Sequence, residues 1–267
     1  MTYRQNRRYR KSRPVFAMGA CPSEGCKACR AVAAAGHSAA VDFAGIMRRQ
    51  GVAGGDAVWR GAADEEGLTV VADGVVLEQR ILSDGRRQIV AFRFPGDVVG
   101  ITDGFDPFLQ TVAMTPAAIC HAGGKALDAF GRAHPAAAER LARLGGVEAA
   151  RLADHLLVLG RLTAVERVAA FLLDCLARAG TTTAEGVACA LPMNRDDIAD
   201  YLGLNVETVS RQLSRLKKAK LIRLPKPGRV VVPDVASLAA LVPFTPVGPN
   251  VGTGIGNTTL SERSAAA

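Results

Sequence analysis

From Met193 to Asp234 the chain reads MNRDDIADYLGLNVETVSRQLSRLKKAKLIRLPKPGRVVVPD, and no other stretch restricts its fold so tightly. Asn194 can cap a helix that has Asp197 at its third position, Ile198 and Leu202 on an apolar face, and Gly203 at its end. Asn205 caps a second helix after a very short turn. There Val209, Leu213 and Leu216 fall at i, i+4 and i+7 and point inward, so Glu207, Ser210, Arg211 and Ser214 share the opposite face. Two helices joined this closely, the second exposing short polar groups and an arginine, form a helix-turn-helix, and IRLPKPGRVVV reads as the hairpin of a wing.

The exposed residue types suit the major groove of double-stranded DNA. Arg211 can bond both O6 and N7 of a guanine, Glu207 can accept from a cytosine amino group, and Ser210 can serve a base or a phosphate. Ser214, Arg215, Lys217, Lys218, Lys220 and Lys226 are expected at phosphates, which supply affinity but little sequence information. Every charged residue from Arg211 to Arg229 is basic and the chain carries a net charge of +8, a balance that favours a polyanionic partner. A second basic run, Arg4 to Arg13, reads as a solubilising disordered arm.

At 267 residues the chain suggests two domains of roughly 150 residues each. Leu68 to Gly100 is rich in Val and Ile, and Asp73-Gly74 and Asp84-Gly85 between short apolar runs are hairpin signals. QTVAMTPAAICHA reads as one further strand, and residues 52–122 as an antiparallel barrel or roll. The texture then changes at about Gly124. Over 136–162, Leu141, Leu144, Leu152, Leu156, Leu159 and Leu162 mark one long helix, with Leu152, Leu156 and Leu159 as the seam of a homodimer. Thr163 and Glu166 form a capping box for the next helix. The expected organisation is α+β: an arm over 1–20, an N-terminal antiparallel β-roll (jelly roll) over 21–130 that includes the N-terminal cysteines, a dimerisation helix over 131–162, a winged helix-turn-helix over 163–244 and a disordered tail over 245–267.

Three of the six cysteines, Cys21, Cys26 and Cys29, are clustered. With no secretory leader and no apolar run near the ~20 residues that span a bilayer, a cytoplasmic protein without a membrane partner is expected. In a reducing cytosol such a cluster points to metal or redox chemistry. An oxidoreductase built on the Cys26-x-x-Cys29 pair is a competing reading, but that chemistry wants the pair at a helix N-terminus in a βαβ context, whereas this one precedes the roll. With no H-E-x-x-H, phosphate loop or nucleophile elbow in the chain, it is not read as an enzyme.

LSDGRRQIVAFRFPGDVVG, GRLTAVERVAAFLLDCLAR and DDIADYLGLNVETVSRQLSRL together resemble the CRP/FNR superfamily of bacterial transcription regulators, most of all its FNR and FixK branch. Glu207, Ser210 and Arg211 match the family's Glu-x-x-Ser-Arg signature, so the resemblance implies a homodimer on a TTGAT-N4-ATCAA-like palindrome, with RNA polymerase as a further partner. It leaves activator and repressor open. Cyclic nucleotide is not expected, because Ile101 follows Gly100 where that branch has an acid, and LQTVAMT has no arginine for the phosphate. By resemblance, Cys26, Cys29 and Cys120 would hold an oxygen-labile 4Fe-4S cluster, with Cys21 as the fourth ligand or His37 as the alternative. A FixK-like regulator without a cofactor, or one responding to haem or nitric oxide, is the other reading; its cysteines would be bystanders or a zinc site.

Overall fold

A computed structural model describes residues 16–18, 26–58, 67–99 and 109–245. Cys21, Gly100, Ile101, most of the basic arm and nearly all of the expected tail lie outside the described residues. The chain begins with β1 (Phe16–Met18), α1 (Lys27–Ala33) and α2 (His37–Ile46). It continues through β2 (Arg48–Val52), β3 (Gly67–Asp73), β4 (Val76–Ile81), β5 (Arg87–Arg93), β6 (Val98–Val99), β7 (Leu109–Ala113) and β8 (Ala117–Gly123). The strands form two antiparallel sheets, ordered β1-β2-β8-β3-β6 and β5-β4-β7. Val71 and Ile119 of the first sheet bury against Val76 and Ala113 of the second. On its other face, β3 buries Val70 and Ala72 against Val32, Phe43 and Phe130 from the flanking helices. Burial on both faces explains why Val70, Val71 and Ala72 follow one another in β3 instead of alternating with polar residues.

Two local expectations change in three dimensions. Asp84-Gly85 does close a hairpin, β4 to β5, with Ile81 opposite Arg87. Asp73-Gly74 does not: β3 and β4 belong to different sheets, and the turn carries the chain from one to the other. Gly74 has φ 77° there, and a Cβ would fall 2.4 Å from the Pro116 carbonyl oxygen. Turn chemistry specifies a positive φ, not which strands pair. Likewise QTVAMTPAAICHA is two strands; β7 pairs with β4, whereas β8 pairs with β2 and β3.

Helix α3 (Gly124–Ala133) leads into α4 (Pro135–Arg161), which opens on a proline, where a missing N–H costs nothing. The leucine stripe of α4 serves several neighbours. Leu141 and Leu144 pack beside α1 and α2 in the cluster containing Phe43, and Leu162 is buried at the far end. Leu156 is 70% exposed and Leu157 43%. Leu152 and Leu159 are half-buried, Leu152 lining a partly open pocket and Leu159 lying near Gly203.

Helix α5 (Ala164–Ala179) follows at once, and the Thr163 N–H donates to Glu166 Oε2 at 2.7 Å. Then come β9 (Thr181–Thr183), β10 (Gly186–Ala190), α6 (Arg195–Leu202), α7 (Val206–Lys218), β11 (Arg223–Lys226), β12 (Arg229–Val232) and α8 (Val235–Ala239). The wing hairpin is one side of a four-stranded sheet, β11-β12-β10-β9. Its other two strands are short and Thr- and Ala-rich, with no alternation strong enough to mark them in the sequence. One continuous core joins Leu77, Ile89 and Phe92 of the β5-β4-β7 sheet to Phe171, Leu202 and Leu213. No helix among the described residues is long and apolar enough to cross a membrane.

Candidate nucleic-acid interface

The two helices of the reader start and stop where their cap residues dictate. The Asp197 N–H donates to Asn194 Oδ1 at 2.8 Å, and the Asn194 N–H donates to Asp197 Oδ2 at 3.0 Å. Gly203 ends α6 in the left-handed region, φ 60°. The Thr208 N–H then donates to Asn205 Oδ1 at 2.8 Å, starting α7. Val209, Leu213 and Leu216 are at most 2% exposed, which anchors one face of α7 and turns the other to solvent.

On that outer face Ser210, Arg211, Ser214, Arg215 and Lys218 line one open groove. Glu207 is exposed in the first turn of α7, and Arg211 Nη2 donates to Thr208 Oγ1 at 3.0 Å, which restrains the guanidinium before any ligand arrives. Lys217 and Lys220 are exposed at the C-terminal end of the helix. Lys226 lines a second groove with Arg195 and Arg229, between the wing and the start of α6. Among the described residues, none of Arg211, Arg215, Lys217, Lys218, Lys220 and Lys226 pairs with a carboxylate. Unneutralised donors on a rigid convex helix are what a phosphate backbone and base edges require.

A different set of charges lies behind the reader, and the sequence patterns did not disclose it. Asp97 is fully buried, and its carboxylate accepts from Lys27 Nζ at 2.7 Å, from Arg151 Nη1 at 3.1 Å, from Arg178 and from the Phe94 N–H at 2.8 Å. Burial opposes its charge, but Arg178, Lys27 and Arg151 outweigh that and hold its pKa below the usual carboxylate range. Arg93 pairs with Glu78 at 2.7 Å and with Glu148, and Glu148 accepts from Arg151 at 2.6 Å. Arg178 also reaches Asp174 at 2.8 Å and lies over the Phe94 ring, 4.6 Å from its centroid. This network therefore joins α1, the roll, α4 and α5. Its one sequence signal is Arg93, a charge between two phenylalanines in a buried strand. Next to it is a cavity of about 60 Å³, lined in part by Phe92, His155, Phe171 and Tyr201. Burial lowers the pKa of His155 to about 4, against the pull of Asp174, and its ring stacks on Tyr201 at 4.1 Å.

The cysteines are placed as follows. Cys26, Cys29 and Cys120 belong to one apolar cluster with Ala28, Val32 and Phe43, Cys26 being 0% and Cys120 1% exposed. His37 is exposed at the start of α2, and Cys21 lies outside the described residues. Among the described residues, no three His, Cys, Asp or Glu side chains are grouped to hold a metal ion. Cys175 and Cys189 pack inside the C-terminal half, the Cys189 thiol donating to the Cys175 carbonyl at 3.4 Å. Burial, helped by Asp174, pushes the Cys189 thiol up to about 11, and burial raises Cys175 as well, so both are structural rather than reactive.

Comparison with known proteins bears on the whole arrangement. Residues 166–241 match the family model for a Crp-like helix-turn-helix domain. The nitrogen fixation regulation protein FixK of Azorhizobium caulinodans is 39% identical over 227 residues, spanning 85% of this chain and 87% of that protein. The fumarate and nitrate reduction regulatory protein of Salmonella typhimurium is 29% identical over 204 residues, spanning 75% and 80%. The solved structure of FixK2 from Bradyrhizobium japonicum superposes with a TM-score of 0.65 at 32% identity, over 75% of this chain and 99% of that one. The chain thus shares its fold with FixK2 and much of its sequence with a FixK along most of its length, and it belongs to the CRP/FNR family of DNA-binding transcription regulators.

Proposed function

We propose that this regulator binds as a homodimer to a TTGAT-N4-ATCAA-like palindrome, reading bases with Glu207, Ser210 and Arg211, and that it does so without a resident iron–sulfur cluster. The observation that carries the reading is the open groove of Ser210, Arg211, Ser214, Arg215 and Lys218 on a helix whose opposite face is fully packed. Ser214, Arg215, Lys217, Lys218, Lys220 and Lys226 serve the phosphates. Leu156, with Leu152 and Leu159 beside it, supplies the dimer seam; a side chain of that size left 70% exposed on a long helix favours a second copy.

One observation supports the cofactor-free branch: the identity to FixK exceeds that to the fumarate and nitrate regulator. The test is to purify the protein with and without oxygen, measure iron and sulfide, and titrate each sample onto the palindrome and onto a random duplex. Equal, sequence-selective binding in both, with no stoichiometric iron or sulfide, is the expected result. A cluster-bearing anaerobic protein whose DNA binding collapses in air would overturn the cofactor-free reading, and equal affinity for both duplexes would overturn the palindrome.

A further inference from the structure

The first helix of the reader is tied to the roll by side chains that touch neither the DNA-facing groove nor the Asp97 network. Arg87, the first residue of β5, donates from Nε to Asp200 Oδ2 at 2.6 Å and from Nη2 to Asp197 Oδ1 at 2.7 Å. Beside it, Gln88 Nε2 donates to the Asp200 carbonyl at 2.8 Å. Asp197 is also the carboxylate that closes the cap of α6 through its other oxygen, so one side chain both starts the reader and holds the roll. The Arg87 side chain is 23% exposed and Asp197 10%, which shields the pair from much of the solvent.

We propose that Arg87 is a positioning residue for DNA binding: through Asp197 and Asp200 it fixes the angle of α6, and with it α7, so that both readers of a dimer engage their half-sites together. The proposal rests on the palindrome reading above. Apolar contacts already hold α6 to the roll, with Tyr201 5.0 Å from Phe92 between ring centroids, but such contacts are non-directional. A planar guanidinium shared between two carboxylates is directional. Readers in a dimer must span half-sites about 34 Å apart, and the second engagement gains from the first only while the linkage holds the right geometry. None of Arg87, Gln88, Asp197 and Asp200 lines the groove of Ser210 and Arg211, so the clamp orients the reading face and leaves it uncovered.

The experiment compares wild type, Arg87→Ala, Arg87→Lys, Asp200→Ala and the double alanine variant on the palindrome and on a duplex with one half-site scrambled. Arg87→Ala is expected to lose roughly tenfold in affinity for the palindrome, the scale on which networked contacts couple, and little on the single half-site. Asp200→Ala should lose a similar factor, the double variant no more than Arg87→Ala, and Arg87→Lys should recover part. Unchanged palindrome binding by Arg87→Ala, an equal loss on both duplexes, a gain in affinity, or additive losses in the double variant would each overturn the assignment. Should wild type itself fail to prefer the palindrome to random DNA, the half-site reading is what has failed. X-ray scattering from the DNA-free protein then decides on the clamp: a broadened interdomain distance distribution in Arg87→Ala supports it, and an unchanged profile overturns it.

Discussion

Around Asp97, the side chains of Arg93, Arg151 and Arg178 are 5, 11 and 6% exposed and each meets a carboxylate. On α7, Arg211, Arg215, Lys217 and Lys218 are exposed and meet none among the described residues. The same residue types are thus satisfied by the fold in one region and left for a ligand in the other. A buried ion pair adds little net stability over an apolar replacement, yet removing one partner strands the other, so the network holds four elements in one arrangement. The α7 cations contribute little to folding and instead supply a field that a polyanion can complete.

The largest effect expected from breaking this contrast is at Asp97. Asp97→Ala takes from Lys27 its carboxylate and from Arg151 and Arg178 one of two, and urea unfolding should show a loss of about 3–5 kcal/mol. A loss no greater than that of an ordinary surface substitution would mean that the network relaxes and specifies nothing.

Next is Leu156→Glu, which places a charge in the proposed seam but leaves the protomer fold alone, because the side chain is 70% exposed there. Sedimentation should find dimerisation weakened by about a hundredfold and palindrome binding lost. An unchanged dimer would remove Leu156 from the seam.

Within the reader, Arg211→Ala should weaken palindrome binding by about 1–3 kcal/mol and relax discrimination at one guanine. Lys218→Ala should weaken all duplexes alike and reduce the salt slope by about one. Neither variant should move the urea midpoint, which sharpens the contrast with Asp97. If the two lose equally on specific and random duplexes, the division into base-reading and phosphate-binding residues is wrong.

The smallest effect concerns acid. The pKa of His155 is depressed from 6.5 to about 4, so its neutral form contributes stability that is fully present above pH 6.5 and is lost as pH falls toward about 4. Asp97, held below the usual carboxylate range, loses its contribution only at still lower pH. His155→Phe should flatten the upper part of the acid profile, read from urea midpoints across that range. A profile that keeps its full slope would place the titration elsewhere.

The reader was legible because its determinants are local. Caps at Asn194 and Asn205, the stop at Gly203 and the inward spacing of Val209, Leu213 and Leu216 act within a helical turn or two, and the structure uses each as the pattern implies. The long helix was legible for the same reason, although its stripe could not say which leucines face the chain's own core. The roll was legible as a set of strands and less so as a topology. Asp73-Gly74 and Asp84-Gly85 look alike in sequence, yet only the second closes a hairpin, because pairing depends on where the sheets lie.

The cysteines and the buried charges mark the limit. Spacing put Cys26 and Cys29 close together, but that Cys120 of β8 packs in the same cluster, beside α2 and α3, is decided by the fold. Asp97, Lys27, Arg151 and Arg178 are far apart in the chain, and each alone reads as an ordinary surface charge. By itself, the sequence determined the long helix, the capped helix after it, the two reader helices with their caps and the residue types on the outward reading face, since these follow from backbone periodicity and side chains acting over a few residues; α1, α2, α3 and α8 carried no comparable signal. Only the tertiary structure decided which strands pair, which charges are buried together and how the roll holds the reader, since desolvation and ion pairing depend on partners that folding brings from elsewhere.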